Sequence, residues 1–427
     1  MGVVESVVMS DLDAAVQKNL KHNLTVNLLD GAFFGMGWGF GSFGTMIPLF
    51  VSRMTDSALL IGLIPAIHAV GWQLPQLFMA GSVSRLRRYK PMVMWLTMQE
   101  RLPFLGLVII AFFLSSLGNK LALTLTFLML IWQGLGAGFA ANGWQSLVAK
   151  IIPPTFRGTF FGAQSALANI FMSITAIAGG YLLDKVNDRS DFSISFGITF
   201  IAFLFSMIAL GLTREPVDNE KIIPEKTASP WKNWWAILRR DRNFSAFLLV
   251  RLLSQFATMG FAFYILYGLQ QFNMDPVTAG FLTATLTITQ TIANLVMGWL
   301  GDRFGHRSML IAGSVSVIGS SMLAWGAQGI GWLYPVVILA GLANVAYWTI
   351  GMAITVEFGS EETRPIYIGL SNTLVAPFTI LAPLLGGWLT DGFSFQLTFM
   401  VSALIAIGVT ILLILLVRNP RAQTPAR

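Results

Sequence analysis

PPTFRGTFFGAQSALANIFMSITAIAGGYLLD at residues 153–184 aligns without a gap on SEETRPIYIGLSNTLVAPFTILAPLLGGWLTD at residues 360–391. The shift is 207 positions, and 8 of the 32 pairs are identical: Arg157/Arg364, Gly162/Gly369, Leu167/Leu374, Phe171/Phe378, Gly179/Gly386, Gly180/Gly387, Leu182/Leu389 and Asp184/Asp391. The same shift pairs Gly134-Leu135 with Gly341-Leu342. Glycine and leucine matches are cheap in apolar sequence. An ungapped run that also carries an arginine, a Gly-Gly pair and an aspartate is not. The two segments read as copies, and the chain as a doubled unit.

The surrounding sequence says what is doubled. Of 427 residues, 55% are apolar and 11% are charged, against roughly 25% charged in soluble domains. Mean hydropathy is +0.69. A soluble enzyme and a disordered chain are both excluded by that balance. With no Cys and three His, thiolate zinc, Fe–S and disulfide frameworks are impossible. No metal site or cofactor is expected. A bilayer core needs about 20 helical residues per crossing. Twelve apolar runs satisfy this: 23–51, 58–83, 91–117, 121–151, 158–183, 192–213, 243–269, 275–300, 308–327, 331–357, 365–391 and 394–417. A β-barrel is rejected, because no ten-residue alternation of polar and apolar positions occurs.

The fold class is therefore all-α membrane protein, with twelve spans in two six-helix bundles. The expected organisation is an N-terminal segment 1–22, bundles 23–213 and 243–418, a linker 214–242 and a tail 419–427. If the N-terminus is cytoplasmic, 21 Lys and Arg fall on inner segments and 4 on outer loops, so both termini are assigned to the cytoplasm. The net charge of +7 then reports topology, and nucleic acid is not an expected partner. Residues 1–22 lack the apolar core of a signal peptide. Asp11–Leu20 could form a short surface helix capped by Ser10. In the linker, Trp231, Trp234, Trp235 and Leu238 recur at helical spacing among Lys232, Arg239, Arg240 and Arg242, which reads as an interfacial helix. Two parallel repeats of this kind place a solute site between them near the midplane.

Between spans 8 and 9 the chain reads Gly298-Trp-Leu-Gly-Asp302-Arg303-Phe-Gly305-His-Arg307. This resembles the loop signature of the major facilitator superfamily, and the resemblance covers about residues 23–418. It implies a transporter fold that works by alternating access. The first-half copy departs from the pattern: Arg85, Leu86 and Arg88 stand where Asp, Arg and Gly are expected. Span 4 has Gln133-Gly134-Leu135-Gly136, but Leu130 replaces the arginine often linked to proton coupling. Span 5 lacks the Gly-Pro-x-x-Gly-Gly of drug antiporters. The resemblance implies that Asp302 caps the start of span 5 near Arg157, Gly158 and Thr159, and that Arg303 pairs with Glu357. A charge-reversed second latch is expected in the first half, with Arg85 and its basic neighbours facing Glu361 and Glu362.

Charges inside spans cost several kcal/mol and are functional candidates by default. Asp30, Glu100, Arg101 and Arg251 are such positions, and His68 lies mid-span. By the resemblance, spans 1 and 7 line the cavity, so Asp30 and Arg251 are expected to face each other across its inner half. A static pair of Asp30 with Arg101 is the structural alternative. Glu100 and Arg101 point about 100° apart on a helix and are expected to meet different neighbours. Asp30 leads as proton carrier, with Glu100 second because span 3 is usually peripheral in this family. Phe34, Trp38, Gln133, Asn142, Gln255, Asn344 and Trp348 complete the expected solute wall.

The favoured function is secondary active transport of a small organic solute. Proton-coupled export of a bulky, apolar or cationic compound is preferred. Uptake or facilitated diffusion of a metabolite is the alternative, and a lipid flippase or non-transporting sensor is the third reading. A monomer in the cell membrane is expected, with solute, bilayer lipid and protons as its partners. No enzyme constellation stands out.

Overall fold

A computed structural model describes residues 11–43, 45–55, 57–186, 191–217, 230–274 and 276–420. The expectations for residues 1–10, for linker residues 218–229 and for tail residues 421–427 lie outside the described residues, as do Arg189 and the side chains of Asp184, Lys185, Trp231 and Lys232. Among the described residues the chain is helical and has no strand. The helices are α1 Asp11–Phe40, α2 Met46–Ser52, α3 Ala58–Gln73, α4 Gln76–Ser84, α5 Lys90–Phe112, α6 Leu114–Leu117, α7 Asn119–Ile151, α8 Arg157–Val186 and α9 Asp191–Gly211. Then follow α10 Pro230–Arg240, α11 Arg242–Ala257, α12 Tyr264–Gln271, α13 Pro276–Phe304, α14 His306–Trp325, α15 Leu333–Val345, α16 Gly351–Thr355, α17 Arg364–Gly392 and α18 Phe395–Leu415.

Among the described residues, ten helical stretches are long and apolar enough to cross a membrane. The first two of the twelve expected runs fall outside that set. α1 carries Lys18, Lys21 and Asp30, which lower its hydropathy. The second run breaks at Leu74-Pro75 into α3 and α4, because proline supplies no amide proton and crowds the preceding turn. Other runs are also segmented. α1 runs unbroken from Asp11 to Phe40, so Asp11–Leu20 is its first part and not a separate surface helix, and α2 starts only at Met46. A 3₁₀ turn at Met259–Phe263 separates α11 from α12. A π segment at Ala346–Ile350 joins α15 to α16, and such segments concentrate at functional positions.

Packing follows the repeat. α1 lies against α8 and α9, and α5 against α7 and α9; α14 lies against α15 and α18, and α11 against α17 and α18. Two seams join the first nine helices to the later ones, α8 with α13 and α4 with α17. α8 and α17 are the duplicated segments, so the copies occupy matching places in the two seams. Their matched glycines explain the closeness. A Cβ on Gly162 would stand 2.0 Å from the Asn294 carbonyl oxygen, and one on Gly369 would stand 2.7 Å from the Leu77 Cα. Backbone meets backbone there, and only glycine permits it.

α10 touches α4, α11 and α17. Trp234, Ile237 and Leu238 pack on the buried cluster that includes Leu77, Phe244 and Phe247. Much of the apolar stripe expected to meet lipid thus covers protein, while Trp235 remains 58% exposed.

Candidate functional site

A cavity of about 510 Å³ lies between the two sets of helices. α1, α3, α5, α7 and α8, with Leu210 of α9, form one wall; α13, α15 and the π segment, with Met352 of α16 and Thr379 of α17, form the other. Asp30, Phe34, Trp38, Glu100, Asn344 and Trp348 line it, all expected solute or proton residues. Trp72 and Trp348 close over it from opposite halves, with ring centroids 5.2 Å apart. His68 adds an edge to the wall. Its Nδ1 is 3.0 Å from Gln133 Oε1, and its ring stacks on Phe43 at 4.3 Å.

One cluster of charge sits in this wall. Asp30 Oδ1 accepts from Ser206 Oγ at 2.6 Å and lies 3.9 Å from Arg101 Nη2. Arg101 donates to the carbonyls of Phe203 and Thr97, both at 3.1 Å, and to Ser206 Oγ at 2.9 Å. Glu100 Oε2 lies 3.5 Å from Arg101 Nη1. The expectation that Glu100 and Arg101 meet separate partners therefore fails. The guanidinium is long enough to bend back along the helix, which brings both into one cluster with Asp30. α5 is not peripheral here either, because Glu100 and Arg101 both reach the cavity. Two carboxylates share one guanidinium, so the site has room for one further positive charge, a proton or a cation.

Several expected residues lie elsewhere. Asn142 donates to the carbonyls of Gln76 at 3.0 Å and Pro365 at 2.7 Å, which makes it a bolt across the α4–α17 seam. Gln133 serves as the partner of His68. Gln255, on α11, is outside the cavity lining. Arg251 does not face Asp30. It turns toward Thr355, Ser371 and Asn372 within its own half, because α11 is rotated to pack on α17 and α18.

The latches sit at the end that carries the 302–307 and 357–363 connections. Asp302 accepts from the amides of Gly158 at 3.0 Å and Thr159 at 2.6 Å, capping α8 from the opposite half, as a carboxylate at a positive helix terminus should. Gly298 lies against Gly158, where a Cβ would meet a carbonyl oxygen at 2.4 Å. Gly305 turns the chain with φ +90, a region closed to most side chains. Arg307 donates to the carbonyls of Leu413 at 3.0 Å and Ile414 at 2.7 Å, tying the end of α18. Arg157 bonds the carbonyls of Ile152 and Ala149 at the end of α7.

Two expected pairs are replaced. Glu357 is met by His306, Nδ1 to Oε1 at 2.7 Å, while Arg303 is exposed and lies over the rings of Trp299 and Phe304. The His306 Nε2 also stands 3.5 Å from Asp302 Oδ1. His306 sits inside the loop signature, where its ring can reach both acids, but that role had no signal in the spacing. Arg85 is not the partner of the acidic loop. Glu361 lies 3.9 Å from Lys150, which also reaches Glu215 at 3.3 Å, and Glu362 Oε2 accepts from Ser360 Oγ at 2.5 Å. The cation beside Glu361 is thus Lys150, in the last turn of α7, whose shorter bonds go to Glu215 and to the Arg87 carbonyl at 2.7 Å.

The Major Facilitator Superfamily sequence profile matches residues 98–269 and 252–427. Multidrug resistance protein MdtG of Klebsiella pneumoniae is 24% identical over 97% of this chain and 98% of that protein. A Na(+), Li(+), K(+)/H(+) antiporter of Planococcus maritimus is 27% identical over 43% of this chain, and the match spans only 44% of that relative's length. The crystal structure of the E. coli fucose:proton symporter FucP superposes with a TM-score of 0.74 at 14% identity, covering 92% of this chain and 98% of that one. The chain belongs to the Major Facilitator Superfamily.

Proposed function

We propose that the protein is a proton-coupled secondary transporter that exports bulky organic solutes by rocking two bundles, 23–213 and 243–418, about the central cavity. The carrying observation is the Asp30–Glu100–Arg101 cluster in the wall of a cavity bounded by both halves. A carboxylate in excess of its counter-cation can exchange a proton for a cationic or polar solute. The aromatic wall, with Phe34, Trp38, Trp72 and Trp348, suits a large apolar body. Full-length similarity to a protein named for multidrug resistance supports export over uptake.

In this reading twelve segments cross the cell membrane of a monomer, and the latch end and both termini face the cytoplasm. The excess of Lys and Arg on those connections supports that orientation. Linker 214–242 then lies on the inner surface, with α10 against both halves. The hydrogen bonds described across the seams cluster at the latch end, from Gln73–Thr379 to Asp302–Gly158. We assign this arrangement to the state closed toward the cytoplasm.

The test uses inside-out vesicles energised to an acidic interior and a pH-sensitive dye. Addition of a lipophilic aromatic cation should release protons and restore fluorescence. Asp30→Asn should abolish this while leaving the protein inserted, and Glu100→Gln should weaken it. Solute flux that ignores the pH gradient and both substitutions would move the assignment to facilitated diffusion.

A further inference from the structure

Arg251 is a cation inside a helix with no counter-anion among the described residues. It lies nine residues into α11 and is part-buried. One terminal nitrogen, Nη1, makes its hydrogen bonds: Ser371 Oγ at 2.8 Å, Asn372 Oδ1 at 3.1 Å and Thr355 Oγ1 at 3.4 Å. All three are neutral. Among the described residues no carboxylate lies within ion-pairing distance of it, whereas Arg53 has Asp191 and Arg101 has Asp30. No hydrogen bond is described for Nε or Nη2 either. Those two nitrogens form the edge of a guanidinium that presents parallel N–H groups, the fork that grips a planar oxyanion. Holding a charge this deep is expensive unless a partner neutralises it.

The position is at the gate. Thr355 lies three residues beyond Met352, which lines the cavity, so Arg251 sits about one helical turn, ~5 Å, further toward the latch end. Its neighbour Asn372 donates to Gln76 Oε1 across the α4–α17 seam at 2.7 Å, and Thr373 Oγ1 accepts from the Leu77 amide beside it at 3.1 Å. Separation of α4 from α17 breaks these bonds and uncovers the arginine to the inner side.

We propose that Arg251 is an oxyanion station of the inward-open state, and that the transported solutes include amphipathic carboxylates whose acid group it receives. This rests on the transport reading above and names a charged group of its cargo. The carboxylate forms two parallel N–H···O bonds with Nε and Nη2, and the apolar body extends into the aromatic cavity one turn away. The competing role is purely structural, with Arg251 fastening α11 to α17.

The full-length protein in detergent is titrated with 1-naphthoate, with its neutral isostere 1-naphthamide, and with tetraphenylphosphonium as an independent probe of the acidic cluster. Affinity is read from thermal stabilisation. Gate opening is read as the distance between spin labels at Phe156→Cys and Ser308→Cys, which are specific because the chain has no other cysteine. The wild type should bind naphthoate at least tenfold tighter than naphthamide, and naphthoate should populate the longer label distance. Arg251→Gln should lower naphthoate affinity at least tenfold, to that of the amide, and leave tetraphenylphosphonium unchanged. Arg251→Lys, a point charge without the fork, should fall between them. Equal binding of acid and amide by the wild type overturns the proposal, even if Arg251→Gln does not fold. So does full retention of naphthoate binding in Arg251→Gln. Loss of tetraphenylphosphonium binding alone would fault the cation-export reading and leave the oxyanion station standing.

Discussion

Removing the Asp302 carboxylate should open the inner gate. In this structure it accepts two backbone hydrogen bonds, from Gly158 at 3.0 Å and Thr159 at 2.6 Å, at the positive end of the 30-residue helix α8, and in the proposed cycle they hold the closed state. Hydrogen bonds to a charged group contribute about 1.5–3 kcal/mol each. Part of this is recovered from water when the gate opens, so the pair should favour closure by about 3 kcal/mol. That corresponds to roughly a 150-fold shift. A gate closed a hundredfold over open would fall to near parity in Asp302→Ala. Asp302→Asn keeps one acceptor oxygen but no charge and should shift the balance by about tenfold. The assay is the distance distribution between spin labels at Phe156→Cys and Ser308→Cys, beside the latch on opposite halves and both exposed. Wild type should give one short population, and Asp302→Ala comparable short and long populations. An unchanged distribution in a variant that still unfolds cooperatively would refute the capping argument.

Gly162→Val places a branched side chain where a Cβ already meets the Asn294 carbonyl at 2.0 Å. It should favour the open gate by about 1–3 kcal/mol, seen with the same labels. Arg101→Met leaves two buried carboxylates with Ser206 as the described side-chain donor to Asp30. It should cost about 3–5 kcal/mol in thermal unfolding, and the added change Asp30→Asn should recover part of it. Trp72→Ala removes the cross-half ring partner of Trp348 and should weaken binding of planar aromatic solutes by about tenfold, in line with the ~0.5–1.5 kcal/mol of an aromatic pair. His306→Ala strips Glu357 of its 2.7 Å partner and should lengthen the label distance as Asp302→Asn does, whereas a purely local role would leave it unchanged.

The duplicated segment was legible because an ungapped run of matched positions survives wherever backbone closeness demands glycine. Gly162 and Gly369 prove to be the points where the two seams touch. The Asp302 cap was legible only through the resemblance of the 298–307 loop to the superfamily signature, since the amides it meets lie 144 and 143 residues away in sequence. The breaks at Leu74-Pro75 and in the Ala346–Ile350 π segment were less legible, since an apolar run looks alike whether its helix is continuous or interrupted.

The pairing of the buried charges was not legible. Asp30, Glu100, Arg101 and Arg251 all stood out as costly intramembrane groups, but their partners depend on how each helix is rotated about its axis. Lys150 in place of Arg85, and His306 in place of Arg303, follow from which side chain ends nearest the opposite loop, a matter of a few ångströms. By itself the sequence determined the apolar helices and the repeat, because hydropathy and matched glycines are read over a few residues of chain, and its 298–307 loop carried the resemblance that implied the superfamily and the Asp302 cap. The tertiary structure alone decided that Asp30, Glu100 and Arg101 form one cluster and that Arg251 stands apart from any acid among the described residues, because those contacts join α1 to α5 and α11 to α17, and only packing brings such distant segments within the reach of a side chain.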